Sequence, residues 1–260
     1  MSVKWIDTSR LSFKSLLKLE KIQIDWIKDC KIPQKEFVVA LKANFEVEKY
    51  LYANSSIFSD YLNTLPEVDI NKMNKAEVRS AEIAVMNAIN DWLTYVIDPS
   101  VYDEQEFLKW DDQELLSLTD FSDRIIADIG AGTGRLAFTV APKVKRVYCV
   151  EPIRNLRDYM VEKTKKLKIN NIHIVDGLIE KIPFKDNFAD ITMAGHVFGD
   201  HPEQELAELE RITKKKGMII LCPGNDDKDN STHKLLVDHG FDYSSFEEPK
   251  DGMKRKYWRK

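Results

Sequence analysis

Asp128-Ile129-Gly130-Ala131-Gly132-Thr133-Gly134-Arg135 sets an acidic residue just ahead of three glycines spaced two apart. Glycine lets a backbone approach a ligand closely and turn in ways that are costly for other residues. A dinucleotide-binding loop follows GxGxxG, and the third position of that pattern is Arg135 here. Asp128 is also unfavourable beside a pyrophosphate and favourable beside a cation. Glu151, in Cys149-Val150-Glu151-Pro152, lies about 20 residues beyond the loop, where an acidic strand end can accept hydrogen bonds from both hydroxyls of a ribose. Loop and carboxylate together point to a nucleoside that carries an amino or sulfonium group in place of phosphates. Taken singly, Glu151 reads as a solvated strand end and Asp128 as a turn cap.

Positioning these residues requires a strand before the loop and a helix after it. From Arg124 onward, short β-branched runs (125–129, 147–150, 172–175, 189–193, 218–221) alternate with amphipathic stretches (135–141, 154–168, 203–212, 232–239). Strict alternation implies right-handed crossovers and a parallel sheet with helices on both faces. Such sheets bind ligands beyond the carboxyl ends of their strands. Two last runs, 241–246 and 254–258, read as a closing hairpin. The fold expected is therefore α/β: a Rossmann-like, seven-stranded, mostly parallel sheet with an antiparallel C-terminal hairpin, plus an N-terminal helical region.

That region is marked by an absence, because all 10 glycines lie at position 130 or later. Phe13, Leu16, Leu17, Ile24 and Ile27 share a face at helical spacing, and Pro33 suits the first turn of a helix through Val38, Leu41 and Phe45. Asn74 and Glu77 make a capping-box start for a stripe of Val78, Ala81, Val85, Ile89, Trp92 and Val96 that stops at Asp98-Pro99. Apolar residues at this spacing are core first and a substrate pocket second.

The chain has 260 residues, 43% of them hydrophobic, with 39 basic and 43 acidic residues and a net charge of −4. This is globular composition without the basic surplus of a nucleic-acid or membrane binder. Cys30, Cys149 and Cys222 form no CxxC pair, so free buried thiols and no metal site are expected. The first ten residues lack the order of a signal peptide and no apolar run is long enough to span a bilayer, which gives a cytoplasmic reading.

Ile126-Ala127-Asp128-Ile129-Gly130-Ala131-Gly132-Thr133-Gly134, Val150-Glu151-Pro152, Ile182-Pro183-Phe184 running to Ala189-Asp190, and Lys214-Lys215-Lys216-Gly217 together resemble the class I S-adenosylmethionine-dependent methyltransferases, in their small-molecule branch. The resemblance spans about residues 115 to 260 and implies a methyltransferase domain at 111–260, with 1–110 as a helical lid or cap. It implies S-adenosylmethionine as cofactor and a small-molecule acceptor. Asp128, Gly130, Ala131 and Gly132 would line the methionine part, Glu151 would hold the ribose, and Pro152 or Ile153 would flank the adenine. Ala194 would present backbone to the amino group. The adenine-contacting acidic position of the family falls on Leu178, while the acidic residue here is Asp176, so Gly177, Leu178 and Ile179 are the local candidates.

The resemblance places substrate-facing residues at the end of the fourth strand, where His196 is the candidate general base, with Asp200 orienting it or His201. A base is required only if the nucleophile arrives protonated. The plainer reading has Asp200 or His201 capping the helix that begins near Pro202, with His196 packed at the strand end. No (D/N)PP(Y/F) tetrapeptide is present, which favours a small molecule over a nucleic-acid amino group. The basic run 254–256 with Tyr257 and Trp258 is the opposing feature, suiting an RNA or protein methyltransferase; a non-catalytic binding module is the other alternative.

Overall fold

The computed structural model describes residues 4–260. Met1, Ser2 and Val3, the start of the segment considered for a leader, lie outside them. The chain divides into two compact units, one ending at Tyr102 and the other running Asp103–Lys260.

The first unit is helical: α1 Lys21–Trp26, α2 Gln34–Ala43, α3 Phe45–Asn54, α4 Ser56–Leu62, α5 Lys75–Ala88 and α6 Asn90–Ile97, followed by α7 Pro99–Asp103. Most residues of the expected faces are buried, but Phe45 is 71% exposed and Leu17, Val78 and Trp92 are half-buried, and the faces are cut into shorter elements than the periodicity implies. Phe13, Leu16, Ile24 and Ile27 are all in the core. They belong to a 3-10 turn, Phe13–Lys18, and to the region of α1 and the turn after it, because Glu20 and Gln23 form a capping box that restarts the chain. Pro33 is the residue before α2, which ends at Ala43, and Phe45 opens α3. The stripe from Val78 to Val96 breaks at Ile89, where φ is −121°. Beside the break, the Asn90 side chain accepts from the N–H of Trp5 and donates to the carbonyl of Ile6, at 2.8 and 2.9 Å. A side-chain amide that stands in for a strand partner competes with helix continuity.

At the start of α5, Asn74 accepts from the Ala76 and Glu77 N–H groups at 2.9 and 3.0 Å, and Glu77 returns a bond to the Asn74 N–H at 2.7 Å. Asn74→Ala is expected to lower the stability of this unit by about 1 kcal/mol, read as a shift of its urea midpoint at constant slope.

The second unit holds a seven-stranded sheet: β1 Ile125–Ile129, β2 Arg146–Val150, β3 Ile172–Val175, β4 Ala189–Ala194, β5 Thr213–Asp226, β6 Asp242–Glu248 and β7 Gly252–Arg259. After α8 Gln113–Leu116 come α9 Arg135–Val140, α10 Arg154–Leu167, α11 Pro202–Ile212 and α12 Ser231–Asp238. The strand order is β3-β2-β1-β4-β5-β7-β6, parallel except for β7, which pairs antiparallel with both β5 and β6. Both faces are covered, as a parallel sheet requires. Ile126, Met193 and Ile220 pack with Leu136, Val140 and Met160 on one face, while Ala127, Ile129 and Leu221 pack with Leu206, Leu209 and Leu236 on the other. Because side chains alternate along a strand, Asp128 shares the face of Ile126 and meets α9.

β5 is much longer than the expected 218–221. Lys214, Lys215, Lys216 and Gly217 lie within it, in the stretch where its register against β4 shifts between the pairing of Ala189 with Thr213 and that of Ile191 with Met218. β1 pairs with β2 on one side and β4 on the other, so the chain runs outward from β1 to β2 and β3 and then crosses back to β1's other side at β4. The crevice beyond its carboxyl end is the binding position in sheets of this kind.

Candidate cofactor site

Gly130, Gly132 and Gly134 all have positive φ, at 65°, 57° and 88°, so the loop reverses three times within five residues. At Gly130 the requirement is steric as well: a Cβ there would lie 2.5 to 2.8 Å from three carbons of Val197. The loop after β4 is thus seated directly on the loop after β1.

The amides of this turn are already committed. The N–H groups of Gly130 and Ala131 donate to the Val150 carbonyl at 2.8 and 3.1 Å, and Gly134 donates to Ala131 at 2.7 Å. Gly132 donates to Oε2 of Glu151 at 2.8 Å. Phosphate loops work by turning such N–H groups outward to the anion. Here those of Gly130, Ala131 and Gly132 turn inward to β2 and the Glu151 carboxylate.

Glu151 is buried, and its Oε1 accepts from Ile153 N–H at 3.0 Å, so one carboxylate fixes both the glycine loop and the exit of β2. Arg157 holds the same exit from outside, donating to the carbonyls of Glu151 and Pro152 at 2.8 and 2.7 Å and to Asp176 at 2.9 Å. Asp176 is therefore tied to an arginine at the edge of the site. Gly177 is there for packing, since a Cβ would meet Pro183 at 2.7 Å and Val150 at 2.9 Å. Leu178 is half-buried and bridges to Lys181, and Ile179 is buried.

Asp128 is 1% exposed, and its Oδ2 accepts from Ala137 N–H in α9 at 3.0 Å. Burial pushes its carboxyl up to about 7, against the lowering effect of the Ala137 bond and with the help of the nearby Glu151 charge. Ala131 turns its side chain into the core beneath the loop, leaving only its backbone toward the crevice. Thr133, equally buried, has a hydroxyl without a hydrogen-bond partner. Two buried carboxylates, an unsatisfied hydroxyl and inward-turned amides suit a polyhydroxylated cation and not a pyrophosphate.

Ala194 is buried at the end of β4, paired with Ile129 and Leu221. Beyond it His196 takes the left-handed conformation, φ 59°, and its N–H donates to the Pro223 carbonyl at 3.2 Å. Its ring does not meet Asp200. Nε2 lies 2.9 Å from Oε1 of Glu248, at the end of β6, a partner 52 residues away that no local pattern announces. The helix after this loop is also closed differently from the plain reading. His201 precedes α11 without a side-chain capping bond, and Glu205 accepts from the N–H groups of Gly199 and His201 at 2.6 and 2.7 Å.

The basic C-terminal run is largely neutralised. Lys254 pairs with Asp226 and Asp251, Arg255 with Asp227 and Asp229, and Lys256 is buried against Glu114 at 2.6 Å. Among the described residues no cluster of three or more His, Cys, Asp or Glu residues is arranged to hold a metal, and no helix is long and apolar enough to cross a membrane.

Residues 127–221 match the family model described as a methyltransferase domain. The chain is similar to the uncharacterized methyltransferase YcgJ of Bacillus subtilis, 27% identical over 124 residues, covering 46% of this chain and 49% of that one. It is also similar to an uncharacterized methyltransferase of Schizosaccharomyces pombe, 35% identical over 115 residues, covering 40% of this chain and 41% of that one. The chain thus spans half or less of the length of these curated relatives. A crystal structure of a SAM-dependent methyltransferase from Aquifex aeolicus resembles it with a TM-score of 0.47 and 21% identity, covering 62% of this chain and 97% of that one.

Proposed function

We propose that the protein transfers a methyl group from S-adenosylmethionine to a small-molecule acceptor by in-line displacement. The observation that carries this reading is the glycine loop whose N–H groups are spent on β2 and on Glu151, with the buried carboxylates of Asp128 and Glu151 beside it. When bound, the cofactor supplies an electrophilic methyl carbon on a positively charged sulfur. Asp128, Gly130 and Gly132 would receive its methionine part, Glu151 its ribose, and Pro152, Ile153, Gly177, Leu178 and Ile179 its adenine. The backbone at Ala194 would face its amino group. Aligning a nucleophile with the methyl carbon can by itself remove roughly 7 to 11 kcal/mol of barrier. His196 takes the acceptor's proton where the acceptor carries one. The ion pairs along the C-terminal run support a small acceptor over RNA, because paired lysines and arginines offer little net charge to a phosphate backbone. Acceptor choice we assign to the helical unit, as the lid or cap expected from the sequence.

The testing experiment is a methyl-release assay against pooled metabolites, with calorimetry on the same preparation. His196→Ala is expected to leave cofactor affinity within about twofold while turnover falls by about 10²- to 10⁴-fold. An equal loss of cofactor affinity would defeat that division of roles.

A second prediction follows from Asp128. Its folded carboxyl holds a proton more tightly than the unfolded chain does, so the stability it confers is present at low pH and is lost as pH rises from about 4 through 7. A sulfonium ligand favours the ionised form, so affinity for S-adenosylmethionine relative to its neutral-sulfur product should increase several-fold between pH 6 and 8, by roughly 1.4 kcal/mol per tenfold change. In Asp128→Asn that ratio should be flat with pH, as calorimetry of both ligands at each pH would show.

A further inference from the structure

We propose that Glu248 is a positioning residue for His196, fixing its ring with Nε2 protonated so that Nδ1 is the proton acceptor, and that the substrate is therefore an acceptor whose nucleophilic atom arrives carrying a proton. This rests on the methyl-transfer reading and on His196 as its base.

Three independent features of the site converge on it. Glu248 is fully buried, and while its Oε1 lies 2.9 Å from Nε2 of His196, its Oε2 has no hydrogen-bond partner. A buried carboxylate left half-satisfied is a poor structural choice, and groups of that kind call for a specific reason. His196 itself is held at φ 59°, a conformation that side-chain-bearing residues avoid and that concentrates at sites where geometry matters. Its ring is gripped edge-on by Phe107, with centroids 5.3 Å apart, so rotation about the side-chain bonds is restricted from a second direction. The imidazole remains 31% exposed, which leaves it reachable from outside.

The tautomer follows from the partner. A carboxylate oxygen only accepts, so Nε2 must donate and the lone pair of the neutral ring sits on Nδ1. The residue after His196 is Val197, whose side chain lies against Gly130, so the backbone that carries His196 adjoins the glycine loop. In the reaction the X–H bond of the acceptor breaks heterolytically and its proton goes to Nδ1. Its electron pair forms the X–CH3 bond while the former S–CH3 pair departs with sulfur. The imidazolium that results faces the Glu248 carboxylate, and neither oxidant nor reductant is consumed. An alcohol, phenol, thiol or protonated amine would use such a base; a thioether or tertiary amine would not.

The test uses the full chain with 15N-labelled histidine, in which the His196 signals are assigned by their loss in His196→Asn. Long-range nitrogen–proton correlation at neutral pH is expected to show Nε2 protonated and Nδ1 bare in the wild type, and a mixture of tautomers in Glu248→Ala. Glu248→Gln, nearly isosteric, guards against a folding defect. It should bind S-adenosylmethionine within about twofold of wild type by calorimetry while product formation from the metabolite pool falls at least about 100-fold. A wild-type proton on Nδ1, an unchanged tautomer in Glu248→Ala, or undiminished turnover in Glu248→Gln would each overturn the proposal. Should the wild type form no product from any pool, the methyl-transfer reading fails while the tautomer spectra still decide whether Glu248 positions the ring.

Discussion

Replacing Glu151 by alanine is expected to weaken S-adenosylmethionine binding by roughly 100-fold or more, the largest expected effect on cofactor affinity. Glu151 accepts from Gly132 and Ile153 and sits where the ribose hydroxyls would arrive. Hydrogen bonds to a charged acceptor contribute about 1.5 to 3 kcal/mol each, so losing those made to the ribose costs on the order of one to two factors of ten apiece. The loop also loses its anchor, since the Gly132 N–H is left without the oxygen that turns it inward. Glu151→Gln should fall between, because its amide oxygen can keep one of the two backbone bonds. Titration calorimetry on the three proteins measures the order; equal affinities across the series would remove Glu151 from the ribose.

The second large effect is expected at Gly130. An alanine there must adopt φ 65° and place its methyl group 2.5 to 2.8 Å from the Val197 side chain. The left-handed conformation costs about 1 to 2 kcal/mol and overpacking about 1 to 3 kcal/mol, so a loss of roughly 2 to 5 kcal/mol in stability is expected. Cofactor affinity should fall with it, because relief of the clash displaces either the glycine loop or the loop that carries His196. Val197→Ala combined with Gly130→Ala should recover the steric part and leave the conformational part, a non-additivity that denaturant melts of the four proteins would show. Strict additivity would mean that the two loops are not in contact.

The sheet was readable in the sequence because its determinants are local. Strands β1 to β4 carry β-branched residues and end at glycine or a charge, and Ile125–Ile129 and Ile172–Val175 have the expected bounds. The loop and Glu151 were readable because their chemistry is carried by residue type at short spacing. What escaped depends on distant partners. Glu248 sits in Glu247-Glu248-Pro249, which looks like a solvated turn, yet the β6–β7 pairing buries it against His196. Asp200 was the obvious carboxylate for that histidine only because it is near in sequence. Ala81, Val85, Ile89 and Val96 of the helical stripe are buried, but its break depends on Asn90 finding the backbone of Trp5 and Ile6, more than eighty residues earlier. The lysines of 214–216 lie where β5 slips register against β4, between the pairing of Ala189 with Thr213 and that of Ile191 with Met218, an irregularity set by the two strands together and not by the run itself.

The most direct measurement is titration calorimetry of the whole chain with S-adenosylmethionine and with its demethylated product. One saturable site for each is expected, lost in Glu151→Ala and retained in His196→Ala. No heat with either ligand, or binding indifferent to Glu151, would contradict the assignment of the crevice beyond β1 to an adenosyl sulfonium.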